Sequence, residues 1–249
     1  MKLSIIIPSY NQKSFLGAAL ESCLEQSGDN EIIVMDGGSS DGSKEVIQSY
    51  SKHLAYWRSH RDEGQSAAIN EGVEYATGEY FTWLNSDDLL CKGATEHIRS
   101  CIQNGAPDVV YGNHGVIDSL GNRIQLHYHP PYQRALWLKA GPYIAQPGTF
   151  IKTKTFESLG SVDKSLHCVM DTDLWYRMAL ARCSFKKINQ CLALFRVHPG
   201  SKGGSWHSRY EEEYQILRVR YGYRSRSLAS LAARIAYLFW KYGNRLLAR

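Results

Sequence analysis

The stretch Glu79-Tyr-Phe-Thr-Trp-Leu-Asn-Ser-Asp-Asp88 decides the fold, because an apolar run of strand-type residues ends there at two adjacent carboxylates. Open α/β sheets bind ligands in the crevice outside the carboxyl ends of their strands. Asp87 and Asp88 are therefore expected where such a fold holds a polyanion. Carboxylates hold phosphates only through a cation, and Mg²⁺ and Mn²⁺ bind through one or two carboxylates together with substrate phosphates. The stretch predicts a metal-dependent enzyme that uses a nucleotide diphosphate.

Strand and helix patterns alternate through the first half of the chain. The predicted strands are 3–7, 31–35, 54–57 and 79–84, and the predicted helices are 14–26, 66–76 and one that starts near Ser43. Alternating strands and helices with short connections predict a mostly parallel, Rossmann-like α/β sheet with right-handed crossovers and helices on both faces. We expect the first strand to end at Pro8, because proline cannot donate a hydrogen bond to a sheet.

The pattern changes in the second half of the chain. A helix is predicted over 94–103, followed by a strand over 108–111 and an antiparallel hairpin of 116–118 with 122–127. The other predicted elements are helices near 132–138, 154–159 and 171–181 and strands over 148–151 and 191–198. No internal repeat or low-complexity linker is visible in the sequence. We expect one domain over residues 1–205 and a helical tail over residues 206–249.

The composition is that of an ordinary soluble protein. Of its 249 residues, 43% are hydrophobic and 21% are charged, which is typical of one large domain or two small ones. The sequence has no apolar run of about eighteen residues and no signal-peptide pattern, so we expect a cytoplasmic location. The six cysteines show no C-x-x-C spacing and are expected to be reduced.

The positive charge of the chain is concentrated in its tail. The net charge is +5, and residues 209–249 contain nine Arg or Lys against three Glu. Apolar residues recur there at helical spacing from Leu228 to Leu246, flanked by Arg234, Lys241 and Arg245. An apolar face with a basic flank is typical of a helix that lies on an anionic membrane surface. Packing on the domain and a dimer contact are equally open.

Four polar stretches follow predicted strands or begin a helix beside them: Pro8-Ser-Tyr-Asn11, Asp36-Gly-Gly-Ser39, Asn85-Ser-Asp-Asp88 and Met170-Asp-Thr-Asp173. Together with Arg196-Val-His-Pro-Gly-Ser-Lys202, this set resembles the motifs of the family 2 glycosyltransferases of the GT-A fold. The resemblance covers roughly residues 3–202. The chain departs from the family pattern at Gly38, an extra glycine in the turn, and at Met170, where the family often has Glu.

The resemblance implies a GT-A fold and an inverting transfer of a sugar from a nucleotide-diphosphate donor to a hydroxyl acceptor. It makes UDP the expected nucleotide and Mg²⁺ or Mn²⁺ the expected cofactor. The acceptor is expected to be a glycan or a lipid-linked saccharide in the synthesis of a surface polysaccharide. A lipid-linked acceptor would give the tail a reason to touch the inner face of the membrane. Nucleic acid is not an expected partner.

The resemblance also implies which residues bind the nucleotide. They are Pro8, Ser9, Tyr10, Asn11, Asp36, Gly64, Asn70 and, at the ribose, Asp87. A uracil ring can stack on Tyr10 and donate its N–H to Asp36, because an ionised carboxylate only accepts hydrogen bonds. The alternative for Asp36 is a turn residue that binds its own backbone. The segment with Gly64 and Asn70 departs from the family pattern at Ala67, where an aspartate is often found.

The metal is assigned to Asp88, with Asp87 at the ribose or as a second metal contact. His198 matches a histidine that completes the metal shell in related enzymes. The alternatives are structural. An acidic doublet also suits the start of a helix, where the helix dipole favours negative charge, and a lone histidine at the end of a strand is often part of the packing.

Asp171 is the candidate general base. Direct displacement at the anomeric carbon needs a base, the acceptor hydroxyl, the carbon and the leaving oxygen in line, and general-base assistance is typically worth about 10²- to 10⁴-fold. The alternatives are an N-cap role for Asp171 and Asp173 as the base. Gln146-Pro-Gly148 resembles the acceptor-side loop of the family, and Trp175 is either a stacking face for a sugar or a core residue.

Three other functions fit single features of the sequence. Asp171-Thr-Asp173 has the D-x-D form of a phosphotransferase nucleophile, but that motif directly follows the first strand in such enzymes. A nucleotidyltransferase would carry a glycine-rich phosphate loop after its first strand, and Pro8-Ser-Tyr-Asn11 is not one. A polyanion-binding protein that uses the basic tail would bind in a salt-sensitive way and would leave the four polar stretches unexplained.

Overall fold

One nine-stranded sheet organises the chain, as seen in a computed structural model that describes residues 1–201 and 207–222. The strands are β1 (Leu3–Ser9), β2 (Asn30–Asp36), β3 (Tyr56–Ser59), β4 (Tyr80–Trp83), β5 (Leu89–Leu90), β6 (Val109–Ile117), β7 (Arg123–His127), β8 (Thr149–Lys152) and β9 (Phe185–Arg196). The helices are α1 (Lys13–Leu24), α2 (Ser43–Tyr50), α3 (Gln65–Glu74), α4 (Ala94–Gln103), α5 (Arg134–Ala140), α6 (Thr153–Ser158), α7 (Met170–Leu180) and α8 (His207–Tyr221), with a 3₁₀ turn at Ser51–His53.

The strand order places a crevice at the end of β1. The order is β3-β2-β1-β4-β8-β6-β9-β5, with β7 paired to β6. From β1 the chain adds β2 and β3 on one side and then returns to place β4 on the other, all four in parallel. The sheet therefore has a topological switch point at the carboxyl ends of β1 and β4, which is where open α/β sheets bind ligands. The predicted α/β fold with a mostly parallel sheet is confirmed.

The core lies on both faces of the sheet, as predicted. Alternate residues of β1 point to opposite faces, so Ile6 packs with Ile69 of α3 and Leu174 of α7. Ile5 and Ile7 of the same strand pack on the other face, in the cluster that holds Leu16, Leu20 and Ile47 from α1 and α2. These clusters fix α3 and α7 on one side of the sheet and α1 and α2 on the other.

Strand β1 continues through Pro8 to Ser9, so the prediction that it ends at Pro8 is wrong. Polar backbone groups of successive strand residues point to opposite sides. The carbonyl oxygen of Ile6 accepts from Leu84 on the β4 side, and that of Ser9 accepts from Gly37 on the β2 side. The nitrogen of Pro8 therefore faces the β4 side, beyond the last paired residue of β4. No ladder bond is lost there.

Two strands are longer than the sequence predicts. Strand β6 is continuous from Val109 to Ile117, where two separate strands are predicted, and β9 begins at Phe185, where a start at residue 191 is predicted. The two pair in parallel over most of their length, with irregular register around Asn113. The polar residues of this region become strand because a partner strand offers them a hydrogen-bond ladder. The short strand β5, which pairs with β9, is also unpredicted.

Helix α8 packs on the domain at the start of the predicted tail. Its Leu217 is fully buried, and Arg220 and Tyr221 both donate to the Asp173 carboxylate of α7 at 2.7 Å. The apolar stripe predicted over residues 228–246 lies outside the described residues. Within residues 1–201 and 207–222, no helix combines the length and the hydropathy needed to span a bilayer. All six cysteines are free.

Candidate active site

A cavity of about 680 Å³ opens at the carboxyl ends of β1, β2 and β4. The predicted site residues that line it are Pro8, Ser9, Tyr10, Gly64 and Asp87. The ring of Tyr10 is 63% exposed and presents a face for stacking. The hydroxyl of Ser9 is buried at this wall and makes no hydrogen bond within the described part of the chain. An open pocket that combines apolar surface, polar groups and an exposed aromatic ring is suited to a nucleotide.

Asp36 does not line this cavity, and its carboxylate is used inside the turn that follows β2. The side chain is fully buried. One oxygen, Oδ2, accepts from the N–H groups of Gly38 and Ser39 at 3.2 and 2.9 Å and from the Ser59 hydroxyl at 2.7 Å. The predicted contact between Asp36 and the base does not fit this geometry. The alternative, a turn aspartate that binds its own backbone, does fit.

Two asparagines predicted at the nucleotide instead join loops. The amide oxygen of Asn11 accepts from the Ser40 N–H at 2.9 Å, which ties the β1 loop to the β2 turn. The side chain of Asn70 donates to the carbonyl oxygen of Val162 at 2.9 Å and accepts from its N–H at 3.1 Å. Neither residue is part of the cavity wall, and their predicted contact with the nucleotide stays a prediction. Both hold segments that carry lining residues.

Asp87 is the member of the acidic doublet that faces the cavity. Its Oδ2 lies 3.0 Å from Nε2 of His198, and the Asp87 and His198 side chains are 16% and 8% exposed. The ring of His198 packs against Phe15 of α1, with 4.6 Å between the ring centroids. The structure therefore brings together two predicted site residues that are far apart in the sequence.

Asp88 is enclosed by protein. The side chain is fully buried, Oδ1 accepts from the backbone N–H of Arg196 at 2.8 Å, and Oδ2 accepts from Asn85 at 3.0 Å. Burial, followed by the adjacent charge of Asp87, raises the pKa of Asp88 well above its usual range. The predicted role of Asp88 as a metal ligand does not fit, because neither oxygen reaches the cavity. Asp88 ties β9 to the loop after β4.

The pair of Asp87 and His198 fits a divalent cation that also binds a diphosphate. Mg²⁺ and Mn²⁺ prefer oxygen ligands, and Mg²⁺ is commonly held by one or two protein carboxylates together with substrate phosphates, while an imidazole suits Mn²⁺ better than Mg²⁺. No group of three or more His, Cys, Asp or Glu side chains forms a metal cage among the described residues. Such a cage is not needed where substrate oxygens complete the shell.

The start of α7 lies at the edge of the same cavity. Ser66, which follows the cavity-lining Gln65, donates to the carbonyl oxygen of Leu166 at 2.8 Å, and His167 lines the cavity. Asp171 lies in the first turn of α7 and is half-buried, with Oδ1 accepting from the Thr172 N–H at 2.7 Å. It is not part of the cavity wall, to which this segment contributes His167, four residues earlier.

The structure separates Asp173 from Asp171. Asp173 is fully buried, and its oxygens accept from Arg177 at 2.8 Å, from Arg220 at 2.7 Å and from Tyr221 at 2.7 Å. A carboxylate held in this way joins α7 to α8 and is not accessible to an acceptor. The alternative in which Asp173 is the base does not fit.

Glu213 of α8 caps α7, which has no cap of its own. The residue before the helix, Val169, offers no side-chain hydrogen bond. The carboxylate of Glu213 accepts instead from the backbone N–H groups of His167, Cys168 and Val169, the Cys168 bond being 2.7 Å. The N–H of Val169 belongs to the N-cap residue of α7, and those of His167 and Cys168 belong to the turn before it; N–H groups that converge at a helix start favour a negative charge. A residue of the tail thus fixes the segment that precedes Asp171.

Trp175 is a core residue. It is fully buried and stacks on Trp83, with 6.4 Å between the ring centroids, so a role as a sugar platform does not fit. Gln146 of the predicted acceptor loop is also buried and donates to the carbonyl oxygen of Trp83 at the end of β4.

Several cavity-lining residues are missed at the level of sequence. They are Arg61, Asp62, Gln65, His167 and Phe195, and the lining residues Asn85 and Ser201 lie in quoted motifs but have no predicted role of their own. The side chain of Gln65 donates to Asn85 at 2.6 Å, which joins α3 to the loop after β4. The position of Asp62 and Gln65 in a polar loop between a strand and a helix is the one signal that marks them.

The comparisons with known structures define the class of fold. TarS from S. aureus in complex with UDP superposes with a TM-score of 0.65 at 18% identity, covering 88% of this chain and 64% of that one. The mannosyltransferase PcManGT from Pyrobaculum calidifontis, in complex with GDP-Man and Mn²⁺, superposes with a TM-score of 0.66 at 15% identity, with the same coverage of the two chains. The fold is that of the GT-A glycosyltransferases.

The sequence comparisons identify the family. Residues 4–185 match the family described as Glycosyl transferase family 2. An uncharacterized glycosyltransferase of Rickettsia typhi is 30% identical over 226 residues, which is 86% of this chain and 70% of the relative. The chain therefore belongs to glycosyltransferase family 2. It spans only 37% and 31% of the length of relatives from Rickettsia felis and Rickettsia bellii.

Proposed function

We propose that this chain transfers a sugar from a nucleotide-diphosphate donor to a hydroxyl acceptor with inversion at the anomeric carbon. The observation that carries the proposal is the cavity at the switch point, which joins the exposed Tyr10 ring, the pair of Asp87 and His198, and the capped segment before Asp171. The nucleotidyltransferase and polyanion-binding alternatives have no such support, because the family match is to glycosyltransferases.

The donor in this proposal is a UDP-sugar. TarS is described in complex with UDP and with UDP-GlcNAc, and PcManGT in complex with GDP-Man. The acceptor is a hydroxyl of a glycan or of a lipid-linked saccharide, as expected for the synthesis of a surface polysaccharide. A contact between residues 228–246 and the membrane that carries such an acceptor belongs to the same proposal.

Asp87 and His198 would hold the divalent cation, Mg²⁺ or Mn²⁺. When bound, the cation neutralises the charge that grows on the departing diphosphate. This assignment replaces Asp88, whose oxygens are both used inside the protein. Asp88 instead positions Arg196, whose side chain donates to the carbonyl oxygen of Asp87 at 2.8 Å. The support for the metal site is the cavity-facing position of Asp87 and the nitrogen of His198 beside it.

The remaining steps are assigned to the chain's own residues. Tyr10 stacks on the base, and the buried hydroxyl of Ser9 offers a hydrogen bond at the wall of the cavity. Asp171 accepts the proton of the acceptor hydroxyl as that oxygen attacks the anomeric carbon from the face opposite the diphosphate. Aspartate carboxylates are among the side-chain groups that serve as general bases.

Thermal unfolding with UDP tests the proposal. UDP with Mn²⁺ is expected to raise the Tm of the wild-type protein more than UDP alone does. The variant Asp87→Asn is expected to lose this metal-dependent increment, whereas Asp88→Asn keeps it, since the amide oxygen can still accept from Arg196. Retention of the increment in Asp87→Asn together with its loss in Asp88→Asn would return the metal to Asp88. The absence of any shift in the wild-type protein would contradict a UDP-dependent function.

A further inference from the structure

Gly37 separates an aromatic ring from a carboxylate at one wall of the cavity. A Cβ atom at residue 37 would lie 3.3 Å from the ring carbon Cδ2 of Tyr10 and 3.3 Å from Oδ1 of Asp62. All three residues line the cavity. Because glycine has no side chain, the Tyr10 ring and the Asp62 carboxylate approach the same point of the backbone. A planar ligand stacked on Tyr10 would therefore have the Asp62 carboxylate near its edge.

Asp62 is held in place by the loop that carries it. Its Oδ2 accepts from Nη1 of Arg58 at 3.0 Å, and its Oδ1 accepts from the N–H of Gly64 at 2.8 Å. Arg58 is buried and also donates to the carbonyl oxygen of Asp36 at 2.6 Å and to Glu71 of α3 at 2.7 Å. The two oxygens of an ionised carboxylate offer about four acceptor sites. These two bonds leave acceptor capacity on a side chain that is 13% exposed.

Asp62 is also the cavity carboxylate that is left to bind the nucleobase. Among the described residues that line the cavity, Asp62 and Asp87 are the acidic ones. Asp87 pairs with His198. Asp36, where the base contact is expected from the sequence, accepts its hydrogen bonds within the turn and from Ser59 and lies outside the cavity wall.

We propose that Asp62 recognises the nucleobase of the donor by accepting a hydrogen bond from the ring N–H of the base. The inference rests on the proposed function, because it names the residue that selects the nucleotide in the same cavity. Uracil, thymine and guanine carry a ring N–H on this edge, whereas cytosine and adenine carry an acceptor nitrogen there. An ionised carboxylate only accepts hydrogen bonds. It therefore attracts the ring N–H of uracil, thymine or guanine and repels the lone pair on the ring nitrogen of cytosine or adenine. Asp62 thus selects UDP over CDP.

The first test compares the Kd values of UDP and CDP in the presence of Mn²⁺, measured by isothermal titration calorimetry. The wild-type protein is expected to bind UDP about 10- to 100-fold more tightly than CDP, the ratio expected for one hydrogen bond to a charged group. In Asp62→Asn the ratio is expected to fall to within about threefold, because a side-chain amide both donates and accepts and so pairs with either base.

Two control variants separate recognition by Asp62 from its role in the loop. Arg58→Lys loosens the loop but keeps the carboxylate, and Tyr10→Leu removes the stacking face. Both are expected to weaken UDP and CDP binding by similar factors and to leave the ratio unchanged. A ratio that collapses in Arg58→Lys as far as in Asp62→Asn would overturn the proposal, because the carboxylate is still present there.

A second measurement uses the wild-type protein alone, in case Asp62→Asn does not fold. UDP methylated at N3 of the uracil has no ring N–H, and we expect it to bind about 10- to 100-fold more weakly than UDP. Equal binding of the two nucleotides overturns the proposal. If the wild-type protein binds UDP and Asp62→Asn keeps the full preference over CDP, this inference fails and the proposed function stands. If the wild-type protein binds no nucleotide, both fail.

Discussion

The acidic doublet after β4 shows how far apart two neighbouring side chains can be in function. Asp87 faces the cavity and pairs with His198, whereas Asp88 points into the protein and accepts from the N–H of Arg196. Both follow a strand, and both are equally suited to a metal by residue type. The end of β9 determines which of the two faces the cavity. It supplies the N–H of Arg196 to Asp88 and the imidazole of His198 to Asp87. Local sequence contains no information about that distant strand.

Asp171→Asn tests the general base. The variant is expected to keep the increase in Tm caused by UDP and Mn²⁺, because the residue does not line the cavity. Turnover is expected to fall by about 10²- to 10⁴-fold, the usual contribution of general-base assistance. Steady-state kinetics with a nucleotide-sugar donor measures this effect.

Asp173→Asn is the matched control for Asp171→Asn. It removes a charge that joins Arg177 and Arg220, so its main effect is expected on the free energy of unfolding. Wild-type turnover in Asp171→Asn would move the base to another residue.

Among the secondary-structure elements, β2 is tied to its neighbours by one buried carboxylate. Glu31 accepts from the hydroxyl of Ser4 in β1 at 2.6 Å, from the hydroxyl of Thr77 at 2.8 Å and from the N–H of Gly78 at 3.1 Å. Burial would raise the pKa of Glu31, but these hydrogen bonds together lower the pKa below its usual value. The ionised form therefore stabilises the junction of β1, β2 and the turn before β4.

Glu31→Gln is expected to cost about 1–3 kcal/mol of unfolding free energy at pH 7, because a buried charged acceptor is lost. The unfolded pKa of a glutamate is about 4.3, and the folded pKa is lower. The stabilisation is thus present above about pH 4.3 and is lost as the pH falls through the folded value.

Urea denaturation of Glu31→Gln and wild-type protein at pH 7 and at a pH below the folded pKa measures the pH dependence. The exposed Glu21→Gln serves as a control and is expected to change stability by less than about 0.5 kcal/mol. A difference between Glu31→Gln and the wild type that stays constant with pH would contradict this account.

The helices and the parallel strands could be predicted largely from sequence. Helix α4 has the predicted bounds, 94–103, because its apolar residues recur at helical spacing. The second half of the sheet could not be predicted in the same way. Residues 185–190 of β9 are mostly polar, with Phe185 and Ile188 as exceptions, and the parallel pairing with β6 makes them strand. A strand that depends on a partner far along the chain leaves no periodic pattern of its own.

At the scale of the whole molecule, the two halves of the chain make different contributions to the site. The first half of the chain, with the parallel strands β1 to β4, carries Tyr10, the turn after β2, Asp62 and Asp87. The sequence motifs include all of these except Asp62. The second half returns through β9 to bring His198 to Asp87, and the segment before α7 contributes His167 to the cavity wall. The motifs could predict this convergence only through the family resemblance. Asp36 and Asp88 are kept out of the cavity wall by buried hydrogen bonds. These bonds can be seen only in the folded chain.

The contact between α8 and α7 predicts that the tail stabilises the domain. Glu213→Ala removes the acceptor for three backbone N–H groups at the start of α7. Loss of a helix cap typically costs about 0.5–2 kcal/mol, which corresponds to a fall in Tm of roughly 2–4 °C per kcal/mol in a domain of this size. Differential scanning calorimetry measures the change.

Arg209→Ala is the control for Glu213→Ala. It removes the partially exposed ion-pair partner of Glu213 but leaves the capping carboxylate in place, and it is expected to shift the free energy of unfolding by less than about 1 kcal/mol. A larger loss in Arg209→Ala than in Glu213→Ala would show that the ion pair, and not the cap, is what stabilises α7.

The cap on α7 has a consequence for the order in which the protein matures on the ribosome. Among residues 1–201 and 207–222, those that line the cavity all precede residue 202, whereas the carboxylate that binds the segment before α7 follows at Glu213. The N-terminal part of a chain is synthesised first. The strands and loops that form the described walls of the cavity are therefore expected to leave the ribosome before Glu213, which fixes the segment in front of α7.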